Sequence, residues 1–460
     1  MRHHDLVVIG TGSGNTFLDE RFAGLDVALV EHGVFGGTCL NVGCIPTKMY
    51  VYAADVAEVV RRAAKYGVDA SIDKIRWSDI RDRIFSRIDP ISGGGRQYRV
   101  ERSPNVTVYF GHASFTGPRA LQVVRTDGSG TDEITADQVV IAAGGRPMVP
   151  PVVADSGIPF ETSDTIMRLP ELPERLVVLG GGYIASEFAH VFSALGSRVT
   201  LVNRSHALLR WHDETISETY TRLAVAGSRI DVRLNSQITA LSGTAGDLTI
   251  TLDDGSTLGA DTLLVATGRV PNGDLMNLGA AGIGTLSDGR IDVDRFQRTS
   301  AEGVFALGDI SSPWQLKHVA NREAKVVGHN LLHPDDMIEI DHRFVPSAVF
   351  TDPQIAVVGK TEQQCRDAGI DYAVKAQKYG DVAYGWAMED TTGVCKIIAE
   401  RGTGRLLGAH LLGPQASSLI QPLIQAMSFG LTARRMATGQ YWIHPALPEV
   451  VENALLGLDV

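Results

Sequence analysis

The sequence predicts an α/β fold organised around two nucleotide-binding units, and three observations carry that prediction. The chain has 460 residues with 44% of them hydrophobic, room for three or four domains of ~100–200 residues each. A short apolar strand, a glycine-rich turn and the start of a helix occur as DLVVIGTGSGN, residues 5–15. The same layout returns as LVVLGGGYIASEFA, residues 176–189. One glycine turn alone is weak evidence, but two complete units in one chain predict two bound dinucleotides.

In the first unit Gly10, Gly12 and Gly14 let the backbone approach a pyrophosphate, whose charge rests on amides at a helix start. GNTFLDERFAG, residues 14–24, is the predicted first helix. The next strand, DVALVEH, carries Glu31, suited to accept from ribose hydroxyls ~20 residues after the turn. In the second unit Gly180 and Gly182 make the turn, and RVTLVNRSHALLR places Asn203 and Arg204 at the strand end with Arg210 beyond. A bare 2′-hydroxyl wants a carboxylate there, whereas a 2′-phosphate repels one and wants guanidinium groups. The second nucleotide is therefore read as NADPH; the alternative is two solvated surface arginines.

A flavin and a nicotinamide nucleotide in one chain imply electron transfer, which bears on GGTCLNVGCIPTK, residues 36–48. A zinc site needs four ligands and no second pair lies near Cys39 and Cys44, so no metal is expected. A staple across so short a loop constrains little of the unfolded chain. A redox-active dithiol is the reading left. Cys365 and Cys395 stand alone and read as small buried hydrophobes, with no role assigned.

Composition excludes other classes. A net charge of −11 without a basic cluster speaks against nucleic acid as a partner. No run of ~18 apolar residues could span a membrane, and MRHHDLVVIG enters a strand at once, leaving no room for a secretory leader. The expected location is cytoplasmic.

GGTCLNVGCIPTK, GGGYIASEFA, VATGRVPN (265–272), GVFALGDI (303–310) and HPALPEVVE (444–452) together resemble the class I pyridine nucleotide-disulfide oxidoreductases over essentially the whole chain. The resemblance implies two Rossmann-like dinucleotide-binding domains plus a C-terminal α+β interface domain. Expected boundaries are 1–147 for the first part of the FAD domain and 148–270 for the NADPH domain. Residues 271–340 continue the FAD and central region, and 341–460 form the interface domain. It also implies a homodimer with shared active sites. Cys44 matches the thiol beside the flavin and Cys39 the interchange thiol that attacks substrate. Lys48 matches the lysine near the flavin, Glu187 its ion-pair partner, Tyr183 the gate over the flavin and Asp309 the ribityl-binding carboxylate. Further cofactor contacts are expected from Thr38, Ala113, Gly144, Ile184 and Gly268. His444 matches the acid–base group and Glu449 its orienting carboxylate, serving the opposite subunit.

Four places depart from the family pattern: Asn15 for a small residue, Ala446 and Pro448 between His444 and Glu449, Lys317-His318 for a Thr-Pro pair, and AAGGRP at 142–147. Asn203 speaks against lipoamide dehydrogenase, and the absence of a C-terminal cysteine pair against mercuric and large thioredoxin reductases. The remaining expectation is a reductase of a small disulfide, first that of the sugar–inositol thiol mycothiol, with glutathione disulfide or lipoamide as alternatives. Its groove is expected to draw on Asp19, Glu20 and Arg21 and on the tyrosines, Arg61 and Arg62 of MYVYAADVAEVVRRAA, although ordinary amphipathic faces look the same. A catalytically silent flavoprotein subunit is the non-enzyme alternative, which the presence of Cys39, Cys44, Lys48 and His444 opposes.

Overall fold

A computed structural model describes residues 1–460. Strand Arg2–Ile9 lies at the centre of the first sheet, its LVVI run buried on both faces as a covered parallel strand requires. Val27–Glu31 and the start of Val106–Gly117 extend the parallel ladder on one side, Thr131–Ile141 and Val304–Ala306 on the other. Ala120–Arg125 closes an antiparallel meander between the long strands. The second unit repeats the plan with five parallel strands in the order Ile230–Leu234, Arg198–Asn203, Arg175–Leu179, Thr262–Val265 and Glu161–Thr162. The chain crosses between the units twice, and the crossings pair with each other as the two-stranded ladder Gly145–Pro147 with Arg269–Pro271. A five-stranded antiparallel sheet, Pro346–Val349 to Leu406–Leu412, forms the C-terminal part. The fold is α/β with two dinucleotide-binding units and a C-terminal α+β domain. No helix is long and apolar enough to cross a membrane.

The predicted first helix does not form, which corrects the reading of residues 14–24. That stretch makes two short 3-10 turns, Ser13–Asn15 and Glu20–Phe22. Three forces oppose the helix. The buried Arg99 guanidinium takes the carbonyls of Asn15 and Leu18 and the Asn15 side chain, groups that a helix would use or leave free. Asp19 accepts from the Arg21 amide and caps a new turn in mid-stretch. Phe17 and Phe22 pack at 5.3 Å between ring centres in the core under the sheet. Asn15, flagged as a departure, is thus absorbed by Arg99.

The second unit keeps its helix. Tyr183–Leu195 begins directly after Gly182 and is buried from Ala185 to its end. Against it packs Cys44–Arg62, whose Tyr50, Val51, Ala54, Ala57 and Glu58 recur at helical spacing on one buried face. Tyr50 stacks on Trp77 at 5.0 Å and donates to the Met167 carbonyl, so the helix that starts at Cys44 is held in register by a rigid core. At its far end the buried Glu58 pairs with Arg61, Arg62 and Arg229, and Arg62 also meets Asp352. Arg62 therefore reaches across to the C-terminal unit, while Arg61 stays beside Glu58 on its own helix. The C-terminal sheet is tied on by a buried ion pair, Lys396 to Asp213 at 2.7 Å, with Glu362 at 2.6 Å. Losing one member would strand the other charge in the interior, a cost of about 3–5 kcal/mol.

Candidate active site

GGTCLNVGCIPTK folds as two helices that share a corner. Gly37–Asn41 carries Thr38 and Cys39; Cys44–Arg62 starts at Cys44 itself, with Gly43 as its N-cap residue. Gly37 makes this corner possible, because a Cβ there would lie 2.8 Å from Gly12 Cα and push the two glycine turns apart. The two cysteines meet at this corner, and donation from the Cys39 thiol is the main cause that lowers the Cys44 thiol to about 7. Burial opposes the shift, and the nearby Lys48 charge and the helix-start amide assist it. The same donation holds the Cys39 proton, raising its thiol well above the ordinary range. Reduced, the pair is one thiolate, Cys44, with the remaining proton on Cys39.

Lys48 stands one helical turn after Cys44. Its Nζ donates to Glu187 Oε2 at 2.5 Å and lies 4.6 Å from the centre of the Phe350 ring. The other Glu187 oxygen accepts from the Phe350 amide at 2.9 Å, so this carboxylate is fully fixed. Tyr183 and Ile184 open the same helix as Glu187, and Tyr183 is exposed. Asp309 sits in the turn Gly308–Ile310. Burial pushes its carboxyl above the usual range, the Arg269 charge opposes from a distance, and no side chain donates to it. Arg269, which sequence reasoning did not single out although it lies in VATGRVPN, donates from its buried side chain to Gly145 O and Ser163 Oγ. Its Nε has no partner.

The first glycine turn fits a flavin dinucleotide. Glu31 is buried at its strand end and accepts from Thr11 and Gly33, so its position over the turn is fixed. Thr11 was missed; only its place inside the glycine turn could have signalled it. Gly10 and Gly144 have positive φ here, as do Gly180 at the second turn and Gly268 at the return crossing. Ala113 is buried in Val106–Gly117, and Gly14 abuts Ala142. Together with the unpartnered Asp309 and the open faces of Cys44 and Lys48, these residues form a cradle of the required chemistry.

At the second turn Asn203 does more than leave out a charge. Its buried amide donates to the carbonyls of Ser205 and Ala207 at 3.0 and 2.9 Å, tying down the loop that carries both arginines. Aspartate has no donor and could not do this. Gly181 is required beside it, since a Cβ would lie 2.6 Å from the Asn203 side chain. Arg204 and Arg210 are both exposed, and Arg210 lies over the Trp211 ring at 4.3 Å. Two free guanidinium groups on a fixed loop suit a 2′-phosphate. Removing both, at ~1.5–3 kcal/mol per charge-assisted contact, is expected to cost NADPH about 100-fold or more in kcat/KM. Arg204→Ala/Arg210→Ala should leave NADH use nearly unchanged, and equal use of both coenzymes by the wild type would refute the reading.

His444 lies apart from these groups. Its Nδ1–H donates to Glu449 Oε1 at 2.7 Å, which holds the Glu449 carboxyl below its usual range. The second Glu449 oxygen accepts from the Ala446 amide, so Ala446 and Pro448 leave the pair intact. The imidazole is 71% exposed, and no hydrogen bond joins it to either cysteine. Tyr441 and Ile443 beside it are exposed too.

Residues 4–324 match the pyridine nucleotide-disulphide oxidoreductase family, and residues 345–455 match its dimerisation domain. Mycothione reductase of Mycobacterium tuberculosis (strain H37Rv) is 59% identical over 464 aligned positions, spanning all of both chains. Dihydrolipoyl dehydrogenase of Halobacterium salinarum is 32% identical and covers 98% of this chain and 95% of its own. Among solved structures, the Cu(II) complex of the HOCl-induced flavoprotein disulfide reductase RclA from Escherichia coli superposes with a TM-score of 0.86 at 28% identity, covering 99% of each chain.

Proposed function

Because the chain belongs to the pyridine nucleotide-disulphide oxidoreductases, we propose that it reduces mycothiol disulfide with electrons from NADPH. It is a flavoprotein disulfide reductase, with FAD and NADPH as its nucleotides. The observation that carries the mechanism is the cysteine pair at one corner, Cys39 on the short helix and Cys44 at the start of the next, one helical turn before the Lys48–Glu187 ion pair.

FAD, held by the first glycine turn, Glu31, Lys48 and Asp309, supplies the two-electron link between NADPH and the dithiol. The chain's own residues do the rest. His444 of the partner subunit takes the Cys39 proton, and the Cys39 sulfur attacks one sulfur of the substrate disulfide. The substrate S–S bond breaks, and the departing thiolate receives that proton from the imidazolium. Cys44 thiolate then attacks the Cys39 sulfur, which restores the Cys39–Cys44 disulfide and releases the second substrate thiolate to be protonated by solvent. Lys48 stabilises negative charge at Cys44 throughout, and Glu187 keeps that ammonium in place.

A homodimer with sites shared between subunits follows from this reading, as do a cytoplasmic location and the division at 1–147, 148–270, 271–340 and 341–460. The dimerisation domain supports the first of these. Substrate choice is supported by the 59% identity to mycothione reductase over all of both chains. Mycothiol disulfide, or its truncated glucosaminyl-inositol analogue, is expected to be reduced with kcat/KM at least ~100-fold above glutathione disulfide, about 2.7 kcal/mol of differential transition-state binding. Steady-state assays with NADPH and each disulfide decide it. Comparable turnover of glutathione disulfide would make the chain a glutathione reductase, and rapid NAD-linked oxidation of dihydrolipoamide a lipoamide dehydrogenase.

A further inference from the structure

Lys317 opens the 16-residue helix Lys317–Leu332. A lysine at that position faces the positive end of the helix dipole, and no acidic residue in the first turn offsets it. The side chain is half-buried, and its hydrogen bond goes to a hydroxyl, Ser13 Oγ at 3.0 Å. Ser13 in turn donates to Asn321 on the next turn of the same helix. A cation placed against a dipole and partly out of water, with no carboxylate hydrogen-bonded to it, is costly unless anions are held nearby, and the buried Asp309 carboxylate is one of them.

The glycine turn that carries Ser13 is the one assigned to the FAD pyrophosphate, and its other side brings a further anion within reach. Ser13 follows Gly12, and Gly12 packs directly on Gly37. Thr11 receives a hydrogen bond from the Gly36 amide at 3.2 Å. The turn bearing the Lys317 contact therefore abuts the short helix that carries Cys39. We propose that Lys317 is a positioning cation for the dithiol, fixed on the first glycine turn so that its charge stabilises the Cys39 thiolate during attack. Its field at Cys39 acts in the direction this requires. The other charged groups around the thiol pair are the Cys44 thiolate, Lys48 beyond it, and Asp309, which Lys317 also faces. Lys48 thus serves the sulfur next to the flavin and Lys317 the sulfur next to the substrate. This rests on the reading of Cys39 as the attacking thiol.

The test needs neither coenzyme nor disulfide, so its failure is distinct from failure of the proposed activity. In the flavin-loaded Cys44→Ser protein, Cys39 is the one thiol of the pair left, and Cys365 and Cys395 are buried. The rate of iodoacetamide alkylation of Cys39 is followed against pH by peptide mass spectrometry. Adding Lys317→Gln, which keeps hydrogen-bond donors for Ser13 but removes the charge, is expected to move the midpoint up by about one unit, roughly tenfold slower alkylation below it. Lys317→Arg should stay within about threefold of the parent. Ser13→Ala, which loosens the ammonium without removing it, should shift the midpoint the same way by less, and decides alone if the Gln variant loses flavin. An unshifted midpoint in Lys317→Gln, or equal loss in Lys317→Arg, overturns the proposal, since a purely structural role would respond to the side chain's shape and not to its charge.

Discussion

Cys39→Ser is expected to leave flavin reduction by NADPH largely intact while abolishing disulfide turnover. The variant loses the sulfur that attacks the substrate but keeps Lys48, Glu187 and the nucleotide sites. Cys44→Ser should be as inactive for a different reason, because the flavin is then disconnected from the thiols. The two are told apart spectroscopically. Reduced Cys39→Ser keeps a Cys44 thiolate and its long-wavelength charge-transfer absorbance; Cys44→Ser has none. In the wild type that absorbance should persist above neutrality and fade as pH drops through about 7, where Cys44 takes up its proton. Stopped-flow reduction and steady-state assays check both variants, and either one keeping more than a few per cent of disulfide reductase activity would refute the dithiol assignment.

His444→Gln should slow the half-reaction with disulfide by ~10²–10⁴-fold, the usual worth of general acid–base help, with little effect on the half-reaction with NADPH. The physical basis is the fixed Nδ1–Glu449 bond, which leaves Nε2 free to exchange a proton. Because His444 is exposed and unconnected to the cysteines of its own chain, mixing is the sharper measurement. Inactive Cys39→Ser and His444→Gln subunits should regain activity in heterodimers, where one of the two sites has both groups. No rescue after verified subunit exchange would exclude a site built across the dimer.

Sequence spacing carried much of the site. Cys39, Cys44 and Lys48 fall within one short segment, and a helix starting at Cys44 puts Lys48 one turn along by geometry alone. The two glycine turns with their following strands were legible for the same reason, since backbone sterics and strand–turn–helix order are local. His444 and Glu449 share a short motif and needed no tertiary information to be paired. The failures were of another kind. Residues 14–24 read as a helix and are not one, because Arg99, 84 positions away from Asn15, supplies donors that a local reading omits. Arg62 read as a groove residue, and it pairs with Asp352, 290 positions away.

By itself, then, the sequence determined which residue types are available for the chemistry: a close cysteine pair, a lysine one helical turn on, a His–Glu pair and two glycine turns. Only the tertiary structure decided their environment. Lys48 meets Glu187 across 139 residues, and Lys317 reaches Ser13 across 304. Asn203 acts as an anchor for Ser205 and Ala207 because its amide is buried under the loop. Residue identity and short spacing set what a group can do. The field and hydrogen bonds that tune it come from side chains brought close by packing, and packing joins segments whose separation in sequence carries no record of the contact.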